Sequence, residues 1–247
     1  MSISNIITPK YSIPVNTSSV TPSSGNNVRV IDANNTMIAW QLDGFAYHLS
    51  QGGDQKALAA QLAALIGNPN HPSTKSLFTD LPKDMQNQIS TIYNKMLLGT
   101  ATASELNDLS EILRSIPENV SVGKLVAQEI LNIKGQFDSE FPMSKTTLLD
   151  ILAIVLRDVK PDPSRDPDSL YNHLSEKGKW ACDDLIAQIE FALKYPEYLN
   201  SDILKTKISV DLSNLWSESW KAKTSAAPAS PVAGNARVAG QLAAGKV

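Results

Sequence analysis

The chain holds a single cysteine, Cys182, so an internal disulfide and any metal site built from clustered thiolates are excluded. Histidine is almost as scarce. Only His48, His71 and His173 occur, and with Cys182 they are the side chains best suited to proton transfer near neutral pH. Long apolar runs are missing too. The longest, Leu148 to Leu156, is interrupted by Asp150 and is about half the roughly 20 residues that a bilayer-crossing helix needs. Ile6, Ile7, Ile13 and Val15 are scattered among Ser, Thr, Asn and Pro, so the opening segment lacks the apolar core of a secretory signal peptide. Sec-type export is therefore not expected. No basic excess exists either, with 22 Lys plus Arg against 25 Asp plus Glu, which argues against nucleic acid as a partner.

Acidic residues are absent from both ends. All of them lie between Asp32 and Glu218, whereas residues 1–31 and 224–247 carry only Lys10, Arg29, Arg237 and Lys246. The ends together have a formal charge of +4 and the stretch between them −7. Polar, mildly cationic arms around an acidic body do little for folding and suggest export, tethering or assembly.

What remains reads as one mainly α domain, a compact multi-helix bundle led by a short β-hairpin and flanked by flexible arms. Residues 1–27, rich in Ser, Thr and Asn with Pro9, Pro14 and Pro22, form the N-terminal arm, and the Ala, Gly and Pro-rich residues 224–247 the C-terminal tail. Residues 28–223 form the body, long enough for a single core, and 42% apolar content fits a globular chain. VRVID and MIAWQL, around Asn34-Asn35, predict the hairpin over 28–42.

Helical spacing then repeats. Asp54 caps a helix with Leu58, Leu62, Leu65 and Ile66, ended by Gly67 and Pro69. Pro82 opens another with Met85, Ile89, Ile92 and Met96, ended by Gly99. Thr102 and Glu105 form a capping box before Leu106, Leu109, Leu113 and Ile116, with Pro117 as the stop, and this pair of helices is expected as an antiparallel hairpin. Ser121 to Gly135 is a fourth helix. Ser144 opens a fifth with so little polar face that it is expected to be the central one. Asp166-Pro167 opens a sixth that Gly178 breaks or kinks, with Trp180, Leu185, Ile189 and Leu193 continuing to Pro196. A last segment from Ser201 carries Ile203, Leu204, Ile208, Leu212, Leu215 and Trp216.

Chemistry is sparse. Cys182 and His173, nine positions apart, could meet only across a break at Gly178, and Asp183-Asp184 would raise the thiol pKa, so a small buried hydrophobe is the preferred reading of Cys182. Asp162, Asp166 and Asp168 lack the glycine and terminal Glu of a calcium loop and are read as capping, solvated residues. His71 has no second ligand near it for zinc. Acceptor-like triplets at Asn16, Asn34 and Asn119 carry no meaning without an export signal of the Sec type. No Walker loop, GxGxxG, GxSxG or HExxH occurs, so no catalytic residue, cofactor or metal is assigned.

Trp216 and Trp220 in WSESW, one helical turn apart, are the interaction candidates. Docking of the last helix on the core is the competing reading. Lys221 and Lys223 suit a helix C-terminus and need no partner.

The opening segment, rich in Ser, Thr, Asn and Ile and poor in charge, resembles the N-terminal export signals of bacterial type III secretion substrates. The resemblance is one of composition and covers about the first thirty residues; it implies export without a cleaved signal peptide. Three readings follow. The first is a secreted, non-enzymatic protein acting through protein–protein contact, in a host cell or at the export apparatus. The second is a structural subunit of a filament, virion or injection device, whose cationic arms reach the acidic body of a further copy. An enzyme of unfamiliar design using Cys182 is the third.

Overall fold

A computed structural model describes residues 33–162 and 169–224, all of the regular structure there being helical. Ten α-helices run in order: α1 (Met37–Gln51), α2 (Gln55–Ile66), α3 (Leu77–Asp80), α4 (Lys83–Leu98), α5 (Ala103–Asn119), α6 (Val122–Ser139), α7 (Lys145–Ile154), α8 (Leu170–His173), α9 (Glu176–Lys194) and α10 (Asp202–Lys221). A 3-10 turn, Ala33–Asn35, leads into α1. The arms, Thr224 excepted, lie outside the described residues, as does VRVID.

The hairpin expected over 28–42 is not formed by its second half, because MIAWQL is the first part of α1. Thr36 is the reason. Its Oγ1 accepts the Ala39 N–H at 3.3 Å, satisfying a donor that a helix start leaves open. Beyond it Ile38, Leu42, Phe45, Ala46 and Leu49 recur every three or four residues and are all buried. A β-rich composition over six residues loses to a fifteen-residue apolar stripe.

Local caps set most other starts. Asp54, Ser144, Ser175 and Ser201 each accept a backbone N–H of the helix they open. Thr102 and Glu105 make the full capping box, and Lys95 donates to the same Glu105. That lysine, with the Thr102 N–H, holds the Glu105 carboxyl down at about 2. Gly99 ends α4 in the left-handed region at φ 73°, a conformation that costs a side chain.

Several boundaries fall elsewhere than spacing suggests. Helix α5 passes Pro117 by two residues, which places the missing N–H in its last turn. Helix α6 continues through Gly135 to Ser139, because Phe137 is still fully buried two residues before the end. Gly178 does not break a helix; it lies in the first turn of α9, and the break is at Leu174, in extended backbone before the Ser175 cap. What Gly178 provides is closeness, since a Cβ there would stand 2.8 Å from the Glu218 Cβ of α10. Helix α3 has no counterpart in the apolar spacing.

Helix α6 occupies the centre, packed against α10, α7, α1, α2 and α3. Leu125, Val126 and Ile130 have no exposed surface, and each such side chain contributes about 1.5–3 kcal/mol relative to exposure. Helix α7, although apolar nearly all round, is not the central helix: Leu149 and Leu156 face solvent at its edge. Helices α4 and α5 touch, but α4 packs more extensively on α2 and α5 on α1. Helix α10 lies across α6 and α9, and that placement carries both candidate tryptophans.

Candidate interaction surface

Trp216 and Trp220 stand one turn apart on α10 and are both half-buried. Each indole face is covered by a lysine of the same chain. Lys75 Nζ lies 5.0 Å from the Trp216 ring, and Lys124 Nζ, from α6, lies 5.7 Å from the Trp220 ring. Trp216 also packs on the core, and its Nε1 is buried without an acceptor. Lys221 caps this end by donating to Glu218 Oε1 at 2.7 Å.

The most exposed tryptophan is another one. Trp180 on α9 is 72% exposed, because the buried face of α9 runs through Gly178, Ala181, Cys182, Leu185, Ile189 and Ala192 and passes it by. Sequence spacing places Trp180 on the apolar pattern with Leu185 and Ile189, but a position five before Leu185 is out of phase with the buried stripe. Trp180 borders an open cavity of about 370 Å³ between α9 and α10, with Glu176, Lys177, Ala181, Asp184, Asp211 and Asn214 as the other lining residues. A second lobe of about 250 Å³ shares Asp184 and Asp211 and extends past Gln188, Thr206, Lys207 and Val210. Burial, with Asp184 adding its charge, pushes the Asp211 carboxyl up despite a 2.8 Å bond from Gln188 Nε2.

Beyond the groove, Phe191 meets Tyr195 at a tilt and Tyr198 edge-on, with ring centroids 5.0 and 4.8 Å apart, and all three are exposed. Ile203, expected in the core, is 75% exposed at the start of α10.

A buried ionic cluster sits on the other side of α6. Helix α7 widens into a π-helical turn, Val155–Val159, closed by Lys160 N–H donating to Val155 at 2.8 Å. This turn presents Arg157, which donates to both oxygens of Asp158 and, through Nη2, to Glu129 Oε1 at 3.4 Å. Asp158 accepts the Met37 N–H at the start of α1, and the Trp40 ring lies 5.3 Å from the guanidinium. Burial and the Asp158 charge outweigh Arg157 and raise the Glu129 carboxyl well above its usual range. No spacing rule signals this cluster, because it joins α6 to a turn 28 residues away.

The nucleophile candidate is shut away. Cys182 is fully buried, and burial, with Asp183 adding its charge, pushes its thiol to about 12. His173 is exposed at the end of α8. His48 and His71 are exposed, the former against Tyr47 with ring centroids 6.1 Å apart. Among the described residues no three His, Cys, Asp or Glu gather as a metal site, and no helix is long and apolar enough to cross a membrane. Asp162 is exposed, while Asp166 and Asp168 lie outside the described residues. No family model, curated protein or solved structure matches the chain.

Proposed function

We propose that the chain is a non-enzymatic bacterial protein, exported without a cleaved signal peptide in the manner of type III secretion effectors or apparatus-associated proteins, and acting through protein–protein contact. The observation that carries this reading is the polar, acid-free segment 1–31 ahead of an acidic helical body. A polar leader with little apolar surface to bury threads a narrow channel at little unfolding cost, and a body dominated by local helical contacts refolds fast after delivery. Further support comes from the thiol, which at about 12 stays protonated and unreactive at neutral pH. Exposed Trp180, Phe141, Tyr198 and Ile203 add the aromatic and aliphatic surface typical of contact sites.

The test is deletion of residues 2–30. Export is expected to stop while the helical circular dichroism of the purified body is unchanged. Undiminished export would overturn the reading. Opposite charge on ends and body favours a second reading, a structural subunit of a filament, virion or injection device. Light scattering decides between them: assembly requires large particles that the same deletion dissolves, whereas the first reading requires small species throughout.

A further inference from the structure

We propose that the groove between α9 and α10 is a docking site for an arginine side chain carried on an extended segment of a protein partner, the guanidinium stacking on Trp180 and pairing with Asp184 and Asp211. This rests on the contact-based reading above and names the chemistry of the partner.

Geometry supplies the first argument. Trp180 and Asp184 are one helical turn apart on α9, so both side chains rise from the same face of that helix. Asp211 and Asn214 bear the same relation on α10, and the cavity of about 370 Å³ between the two helices is lined by all four. The lining therefore brings together an exposed indole and the carboxylates of Asp184 and Asp211. A planar cation with donors along its edge satisfies both at once, which a compact ammonium does less well.

Charge complementarity gives the second. Among the described residues Asp184 has no ion-pair partner, while most neighbouring carboxylates have one: Asp183 pairs with Lys160, Glu176 with Lys179 and Glu218 with Lys221. Asp211 is held by the Gln188 and Asn214 amides rather than by a cation at bonding distance, and Lys207 acts on it only through space. The Gln188 Oε1 is itself buried with no donor. Asp184 is thus the groove carboxylate with neither a cation nor an amide at bonding distance, while Lys177 and Lys207 also line the groove. Among the described residues no three His, Cys, Asp or Glu gather closely enough to hold a metal ion, so the groove is not built for a bare cation.

Shape gives the third. The two lobes share Asp184 and Asp211, so the channel continues from Trp180 to Val210, which is 52% exposed. An extended peptide with arginine in the first lobe places a neighbouring side chain against Val210 in the second.

The experiment titrates ¹⁵N-labelled full-length protein with N-acetyl-arginine amide and follows the Trp180 indole N–H, identified by its loss in Trp180→Phe. A saturating shift is expected, with a dissociation constant on the order of 1 mM for one stacked and paired side chain. N-acetyl-citrulline amide, of the same shape without the charge, is expected to bind at least about tenfold more weakly. Asp184→Asn, an exposed position, is expected to weaken arginine binding by a similar factor without altering the fold. No shift to about 20 mM probe, an equal response to citrulline, an unaffected Asp184→Asn variant, or a response to calcium alone would each overturn the proposal. Such a failure with export still dependent on residues 2–30 removes the groove and leaves the contact-based reading. Arginine binding in a protein exported without those residues does the reverse.

Discussion

Arg157 Nη2 lies 3.4 Å from Oε1 of Glu129, a carboxylate that is 2% exposed and whose other oxygen has no hydrogen-bond partner. The guanidinium is shared with Asp158, so it neutralises one charge where two carboxylates compete. Burial and the Asp158 charge together raise the Glu129 carboxyl well above its usual range. Its folded value lies above the unfolded 4.5, and the stability it contributes is therefore complete below 4.5 and is lost as pH rises through the folded value. Urea unfolding from pH 4.5 upward is expected to show stability falling with a slope of at most about 1.4 kcal/mol per pH unit from this group. Glu129→Gln, which keeps an oxygen for Arg157, is expected to flatten that slope. Parallel wild-type and variant profiles would contradict it.

Glycines in α6 are expected to respond with opposite signs. A Cβ on Gly123 would stand 2.6 Å from the Ser219 carbonyl oxygen and 3.2 Å from the Ala222 Cβ, and backbone cannot move aside cheaply. Gly123→Ala is expected to destabilise by about 1–3 kcal/mol by forcing α10 from α6. Gly135 has nothing within 4 Å of that position, so Gly135→Ala is expected to stabilise by about 0.5–1 kcal/mol through helix propensity. Thermal melts of the two variants check both. Equal shifts would mean that α10 does not approach α6 this closely.

Cys182 is expected to resist a thiol reagent at pH 8 until the fold opens. Its burial and a value of about 12 leave almost no thiolate. Labelling should accelerate with sub-denaturing urea, tracking opening rather than thiol chemistry. Rapid labelling of native protein would restore the nucleophile reading.

The starts of α2, α5, α7 and α10 were legible in the sequence because their causes are local. Asp54, the Thr102–Glu105 pair, Ser144 and Ser201 cap through atoms two or three residues away. Helix α1 was not, since Met37 to Leu42 is short and rich in β-formers, and only the continuation to Leu49 reveals its period. The rank of α6 over α7 is a tertiary outcome: apolar content says that a helix can be buried, and neighbours decide which one is. Of the contact surface, Trp216 and Trp220 stood out by spacing, and both stand half-buried with Lys75 and Lys124 beside their rings. Spacing puts Trp180 in the apolar pattern of its helix and it is instead exposed, and its closeness to Asp211 could not be read, because α9 and α10 are joined only by folding.

Fusing residues 1–31 to a folded reporter tests the central claim most directly, because it isolates the leader from the body. In a bacterium with an active type III system the reporter is expected in the medium, and removing the export ATPase should retain it in the cell. A reporter that stays inside in both strains would contradict export by this segment, and with it the account of the chain as a delivered contact protein.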